Sequence, residues 1–178
     1  MATLISGSTG VDKIQDGTIV NADIASGAAI AGSKLVMPTG SVLQVVQAEY
    51  STQTNFSTAS FADTGLTASI TPSSTSNKIL VVVAANGCMK SDGNTATSLN
   101  IRLVRDSTAL VSFGLSAGIN WINNNNTWGT VGTTKLDSPS TTSAVTYKTQ
   151  VQSTVNGQYV RLQQDSSVSS ITLMEIAG

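Results

Sequence analysis

Apolar residues in this chain follow two patterns, and the change falls near residue 40. Beyond it, Leu66, Ala68 and Ile70 alternate with Thr67 and Ser69, Leu99, Ile101 and Leu103 with Asn100 and Arg102, and Val145, Tyr147, Thr149 and Val151 with Lys148 and Gln150. A period of two marks half-buried strands, and predicts them over residues 61–71, 98–104 and 145–151. Val42, Leu43, Val45 and Val46 predict a first strand, with Gln44 and Gln47 toward solvent. Residues 79–85 differ: the run is continuously apolar, β-branched in its middle and bounded by turn formers, as a strand buried on both faces reads. That strand is the expected centre of the core.

The connections are as legible as the strands. Asp106 and Ser107 turn the chain into a partner strand over 109–113, and Asn156 with Gly157 predicts a second hairpin leading to Tyr159, Arg161 and Gln163. Tight turns are also expected at Asn86 with Gly87 and at Asp92 with Gly93. Residues 51–60, interrupted by Phe56, and 116–130, with four asparagines between Trp121 and Trp128, predict polar loops, the second projecting and anchored by its aromatics. Residues 168–176 close the domain with Ile171, Leu173, Met174 and Ile176. Eight or nine short strands, with no helical period after Gly40, predict an all-β domain over 41–178, an antiparallel β-sandwich of jelly-roll type.

Residues 1–40 form an extended Gly/Ala-rich N-terminal arm in this reading. Ile14, Ile19 and Ile24 recur every five residues, and Ile30 and Leu35 continue with one slip. Five fits neither the helical period nor the strand period, so the arm cannot bury one face by itself and needs a partner surface. Those five residues are the candidate assembly contacts, and association with copies of itself or a larger assembly is expected. Pro38 and Gly40 punctuate the boundary.

Composition narrows the chemistry. Of 178 residues 11% are charged and the formal net charge is −1, which gives no electrostatic reason to expect nucleic acid or an acidic membrane as partner. The start lacks the positive end and apolar core of a secretory signal, and no apolar run is long enough for a transmembrane helix, so a soluble, unprocessed chain without membrane insertion is expected. There is no histidine, so Ser-His, Cys-His and histidine–metal arrangements cannot be built. Asp63, Asp92, Asp106 and Asp137 are expected at turns for conformational reasons, and the segment 91–94 lacks the alternating acids and closing Glu of a calcium loop. No Gly-rich phosphate loop occurs. The expectation is no enzyme, no cofactor and no metal. Cys88, the only cysteine, reads as a small core residue. Trp121 and Trp128, with Asn124 and Asn125 between them, form a candidate contact loop, because a tryptophan face stacks on sugar rings and amides bond to hydroxyls.

Several stretches carry a family resemblance. Asp63, Thr64, Gly65 and Leu66, then Ser69, Ile70, Thr71 and Pro72, then the strand 78–83, resemble the recurring core of β-sandwich domains at the tips of tailed-bacteriophage fibres and spikes. The closing segment 171–176 resembles the way such domains end, and residues 14–19 and 29–35 are similar to the repeats that lead into them. The resemblance implies a virion surface protein, usually a homotrimer. Forty residues extend at most about 140 Å, too little stalk for a long fibre. The leading expectation is therefore a capsid decoration, or cement, protein on the outer capsid surface, with the major capsid protein as partner. The alternative is a short tail fibre or tailspike tip that binds a host surface glycan or receptor. A cellular trimeric jelly-roll ligand would leave the arm unexplained.

Overall fold

A computed structural model describes residues 35–90, 96–117 and 127–178, together with Ile24, Ser26 and Gly27. Contacts divide the chain into two units, Met1–Val36 and Met37–Gly178. In the first, Ile24, Ser26, Gly27, Leu35 and Val36 are exposed. Ile14, Ile19 and Ile30 lie outside the described residues.

The second unit is all-β. Its strands are β1 (Val42–Tyr50), β2 (Thr54–Phe56), β3 (Ala62–Ile70), β4 (Lys78–Lys90), β5 (Leu99–Arg105), β6 (Thr108–Ala117), β7 (Thr127–Asp137), β8 (Val145–Ser153), β9 (Val160–Leu162) and β10 (Ser169–Ile176). They form two antiparallel sheets. In sheet A, the first part of β4 lies between β10 and β7; β1 flanks β10, and β9 followed by β2 pairs with the far end of β4. Sheet B runs β3-β8-β5-β6.

The inner faces of the two sheets supply the core. Leu66, Ile70, Leu103, Val145 and Tyr147 from sheet B meet Ile79, Val81, Val83, Ile171 and Leu173 from sheet A. A second cluster of Phe56, Ala85, Cys88, Leu99, Ile101, Val151, Val160 and Leu162 extends it. These side chains come from alternate positions, because successive strand residues point to opposite faces. The alternation in residues 62–70 and 145–153 is as regular as the sequence predicts.

Several expectations need correction. β4 is not buried on both faces: Ile79, Val81, Val83 and Ala85 are buried, whereas Val82 is 37% exposed and Leu80 only half-buried. Nor does Asn86 with Gly87 end that strand. Gly87, at φ 60°, instead makes a bulge between Ala85 and Cys88, and pairing resumes with Gly129 and Trp128. In β1 the side chain of Gln44 turns to a buried carboxylate, while Leu43 and Val45 face outward. The turn at Asn156 and Gly157 joins no hairpin, since β8 belongs to sheet B and β9 to sheet A. Val160 and Leu162, not the flanking Tyr159, Arg161 and Gln163, set the inward face of β9, although Gln163 is buried beyond its end. Residues 51–60 include the short strand β2, and Trp128 stands within β7 rather than in a loop. Asp63 is a strand residue and Asp137 a buried strand end, so only Asp106 of the described three occupies a turn. Asp92 and Gly93, with the rest of the segment 91–94, lie outside the described residues.

Candidate interaction surfaces

The outer face of sheet B is polar throughout its centre. β3 contributes Asp63, Thr67 and Ser69, β8 contributes Thr146, Lys148, Gln150 and Gln152, and β5 contributes Asn100 and Arg102. Lys148 is ion-paired with Asp63, and Arg102 is held by a neutral amide and an aromatic ring. Lys148 Nζ and Gln150 Nε2 each donate to Asp63 at 2.7 Å, and Arg102 donates twice to Gln150 Oε1 while its guanidinium lies 3.9 Å from the Phe61 ring centre. The hydrogen bond from Lys148, with a smaller one from Gln150, holds the Asp63 carboxyl below its ordinary value against partial desolvation. Between β3 and β8, where pairing lapses from Asp63 to Thr67, a cleft of about 300 Å³ opens, lined by Asp63, Gly65, Thr67, Thr146 and Lys148. Gly65 makes that irregularity possible: its φ is 90°, and the Tyr50 ring from β1 occupies the space a Cβ would need.

Two buried acids tie the structure together. Glu175 on β10 accepts from the Ser73 amide (2.6 Å), Ser73 Oγ (2.8 Å), Asn77 Nδ2 (2.6 Å) and Gln44 Nε2 (2.5 Å). Burial pushes its pKa up, but the bonds from Asn77, Gln44 and Ser73 outweigh it and hold the carboxyl below its ordinary value. Asp137 Oδ2, at the end of β7, accepts from Arg105 Nη1 (2.6 Å) and Tyr147 Oη (2.7 Å), joining sheet A to sheet B. Burial foremost, then the bond to Asp137, raises the Tyr147 pKa. Both acids accept from donors on other elements of the frame, which makes them structural pins.

The outer face of sheet A has the opposite character. Register places Val45, Met174, Leu80 and Leu136 in one line across β1, β10, β4 and β7, all on the side away from the core. Val45 is 57% and Leu136 48% exposed, with Met174 and Leu80 half-buried between them. The adjoining lines are Val42, Ile176 and Lys78 on one side and Gln47, Thr172, Val82 and Thr134 on the other. Sequence reasoning missed this surface by assigning these apolar positions to a core. The signal was there in the uninterrupted run of 79–85, whose even positions the described residues leave half-buried or exposed.

Of the proposed contact loop, Trp121, Asn124 and Asn125 lie outside the described residues. Trp128 is 62% exposed. It borders a cleft of about 120 Å³ with Gly87, Gly129, Gln164, Asp165 and Ser167. The neighbouring segment holds Gln163, Asp165 and Ser166 in left-handed conformation (φ 55°, 54° and 59°), with Gln164 Nε2 donating to Asp165 Oδ1 at 2.8 Å. Cys88 is buried, and desolvation raises its thiol pKa to about 11. Among the described residues no group of three Cys, Asp or Glu is placed to hold a metal ion. No family model matches the chain, and no curated protein matches it.

Proposed function

We propose that this chain is a non-enzymatic structural protein of a tailed-phage virion: a homotrimeric capsid decoration protein on the outer capsid surface, with a jelly-roll β-sandwich and an N-terminal arm. The observation that carries the proposal is the contrast between the outer faces of the two sheets. Sheet B carries charged groups, amides and hydroxyls suited to water, whereas sheet A carries a line of aliphatic side chains suited to being covered. A domain made that way belongs in an assembly. The resemblance of its strands to phage tip domains gives the kind of assembly, and the five-residue rhythm of Ile14, Ile19, Ile24, Ile30 and Leu35 assigns the arm to contacts with the major capsid protein. Many weak contacts from several arms add by avidity, stabilising the shell against the outward pressure of packaged genome without chemistry. Protein stoichiometry in purified particles tests this. Hundreds of copies per particle are expected, and copies in the tens would place the chain at the tail.

A second reading, a short tail fibre or tailspike tip for a host surface glycan, is favoured by one observation. The exposed Trp128 borders a cleft with a carboxylate, an amide and a hydroxyl, the set that stacks on and hydrogen-bonds a sugar. Adsorption of intact particles depleted of the protein separates the two: unimpaired adsorption with faster heat inactivation supports decoration, and lost adsorption supports the adhesin.

A further inference from the structure

We infer that the outer face of the sheet formed by β1, β10, β4 and β7 is the surface through which copies of this chain associate, an assignment that rests on the self-association in the preceding proposal. The face is continuous. With strands about 4.8 Å apart and two-residue rows about 6.8 Å apart, four strands and four rows cover about 19 by 27 Å, roughly 500 Å² in projection. Its aliphatic line of Val45, Met174, Leu80 and Leu136 runs from one edge strand to the other, with Val42, Ile176 and Lys78 in the row on one side and Gln47, Thr172, Val82 and Thr134, then Glu49, Ser170, Ala84 and Gly132, in the rows on the other. At roughly 500 Å² per partner in projection, about 1,000 Å² for two copies, the face stands at the low end of specific interfaces.

Chemistry selects a copy of the chain as occupant. None of Val45, Met174, Leu80, Leu136, Val82 and Ile176 is charged or offers a directional polar group, and Lys78 and Glu49 stand at opposite ends of the face, so selection of a foreign partner by complementary charge is confined to its margins. Three copies around a three-fold axis each turn this face inward, so that the aliphatic rows of the three sheets cover one another at the axis. Covering this face also explains why residues 79–85 are apolar at every position. The odd residues fill the core of their own chain, and Leu80 and Val82 fill a core shared between chains.

Light scattering on the full chain at micromolar concentration tests the assignment, using the double variant Val45→Lys with Leu136→Lys and the control Ser69→Lys on the outer face of sheet B. Wild type and control are expected at a multiple of the chain mass, and the double variant at the mass of one chain with an unchanged circular dichroism spectrum. Three assemblies of equal mass would overturn the face while leaving self-association standing. A monomeric wild type would overturn both, and loss of particle binding by the double variant would then name a shell protein as the occupant. Should the double variant fail to fold, single cysteines read out the same face. Maleimide labelling of Val45→Cys is expected to be at least tenfold slower than that of Ser69→Cys in the assembled protein, and equal rates would refute the assignment.

Discussion

Removing the Glu175 side chain tests whether the ionised carboxylate pins the chain's closing strand. Glu175→Ala removes at once the acceptor of the Ser73 amide and the charged acceptor of Asn77 Nδ2 and Gln44 Nε2, which keep only their bonds to Ser73 Oγ and Thr71 O. Hydrogen bonds to a charged group contribute roughly 1.5–3 kcal/mol each, but Ser73 and Gln44 stand close enough to solvent to rehydrate, whereas Asn77 is buried. The net loss is therefore about 3–4 kcal/mol rather than the full sum. For a chain of this size each kcal/mol lowers Tm by about 2–4 °C, so a fall of roughly 10 °C is expected at fixed protein concentration. Glu175→Gln keeps one acceptor oxygen and costs about 1 kcal/mol. Acid supplies a second readout. Because the folded-state pKa lies below the unfolded one, the carboxylate's stabilisation is present above the unfolded value, about 4.3, and is lost as pH falls through the folded value. Wild-type Tm should thus drop more steeply below about pH 5 than that of Glu175→Gln, the remaining carboxylates being common to both. An alanine variant melting within 2 °C of wild type, or parallel acid slopes for wild type and Gln, would refute the reasoning.

Gly65→Ala is expected to cost about 2–3 kcal/mol in urea melts, since the new Cβ meets both a φ of 90° and the Tyr50 ring; a loss under 0.5 kcal/mol would show that the ring moves aside freely. Val81→Asp should unfold the domain at a cost of several kcal/mol, whereas Val82→Asp, one residue away on the outer face, should keep the circular dichroism spectrum; equal loss in both would place Val82 in the core after all. With a thiol pKa of about 11, Cys88 should resist iodoacetamide at pH 8 in the native protein and react fully in urea, and rapid native labelling would contradict its burial. Deleting residues 1–36, the first of the two units, should leave the β-type circular dichroism intact and abolish attachment to particles, and loss of the β signal would place the boundary elsewhere.

Strands with strict alternation were legible because their pattern answers one question, which face is wet. β3, β5 and β8 have polar outer residues and appear where Thr67, Arg102 and Lys148 place them. β7 escaped notice: Gly129, Gly132 and its threonines leave only Val131 and Leu136 as aliphatic markers, and its place comes from pairing along the whole of β4. The Asn-Gly turns were legible as turns but not in what they join, because local chemistry sets the backbone bend while long-range pairing decides which sheet receives the next strand. The pins were hidden for the same reason. Glu175 meets Gln44 and Asn77 across 131 and 98 positions, and no local pattern marks such partners.

The misassignment of residues 79–85 bears on function more than the others, because pattern reading and the single chain disagree about the same side chains. A run with no polar outer position costs solubility if it stays exposed, and such a surface pairs or aggregates unless something covers it. β4 cannot be shielded by its own sheet neighbours, since β10 and β7 lie beside it and present Met174 and Leu136 to the same side. Any cover comes from above the sheet. Once that face is closed, the surface left to water on the other sheet has Asp63 paired with Lys148 and leaves Arg102, bonded to the neutral Gln150, as its one cation without an acid partner among the outer-face residues named above. An assembly of this kind has little field beyond a Debye length, so its contacts depend on buried area and shape rather than on charge. Raising the ionic strength with sulfate should then tighten the association instead of loosening it.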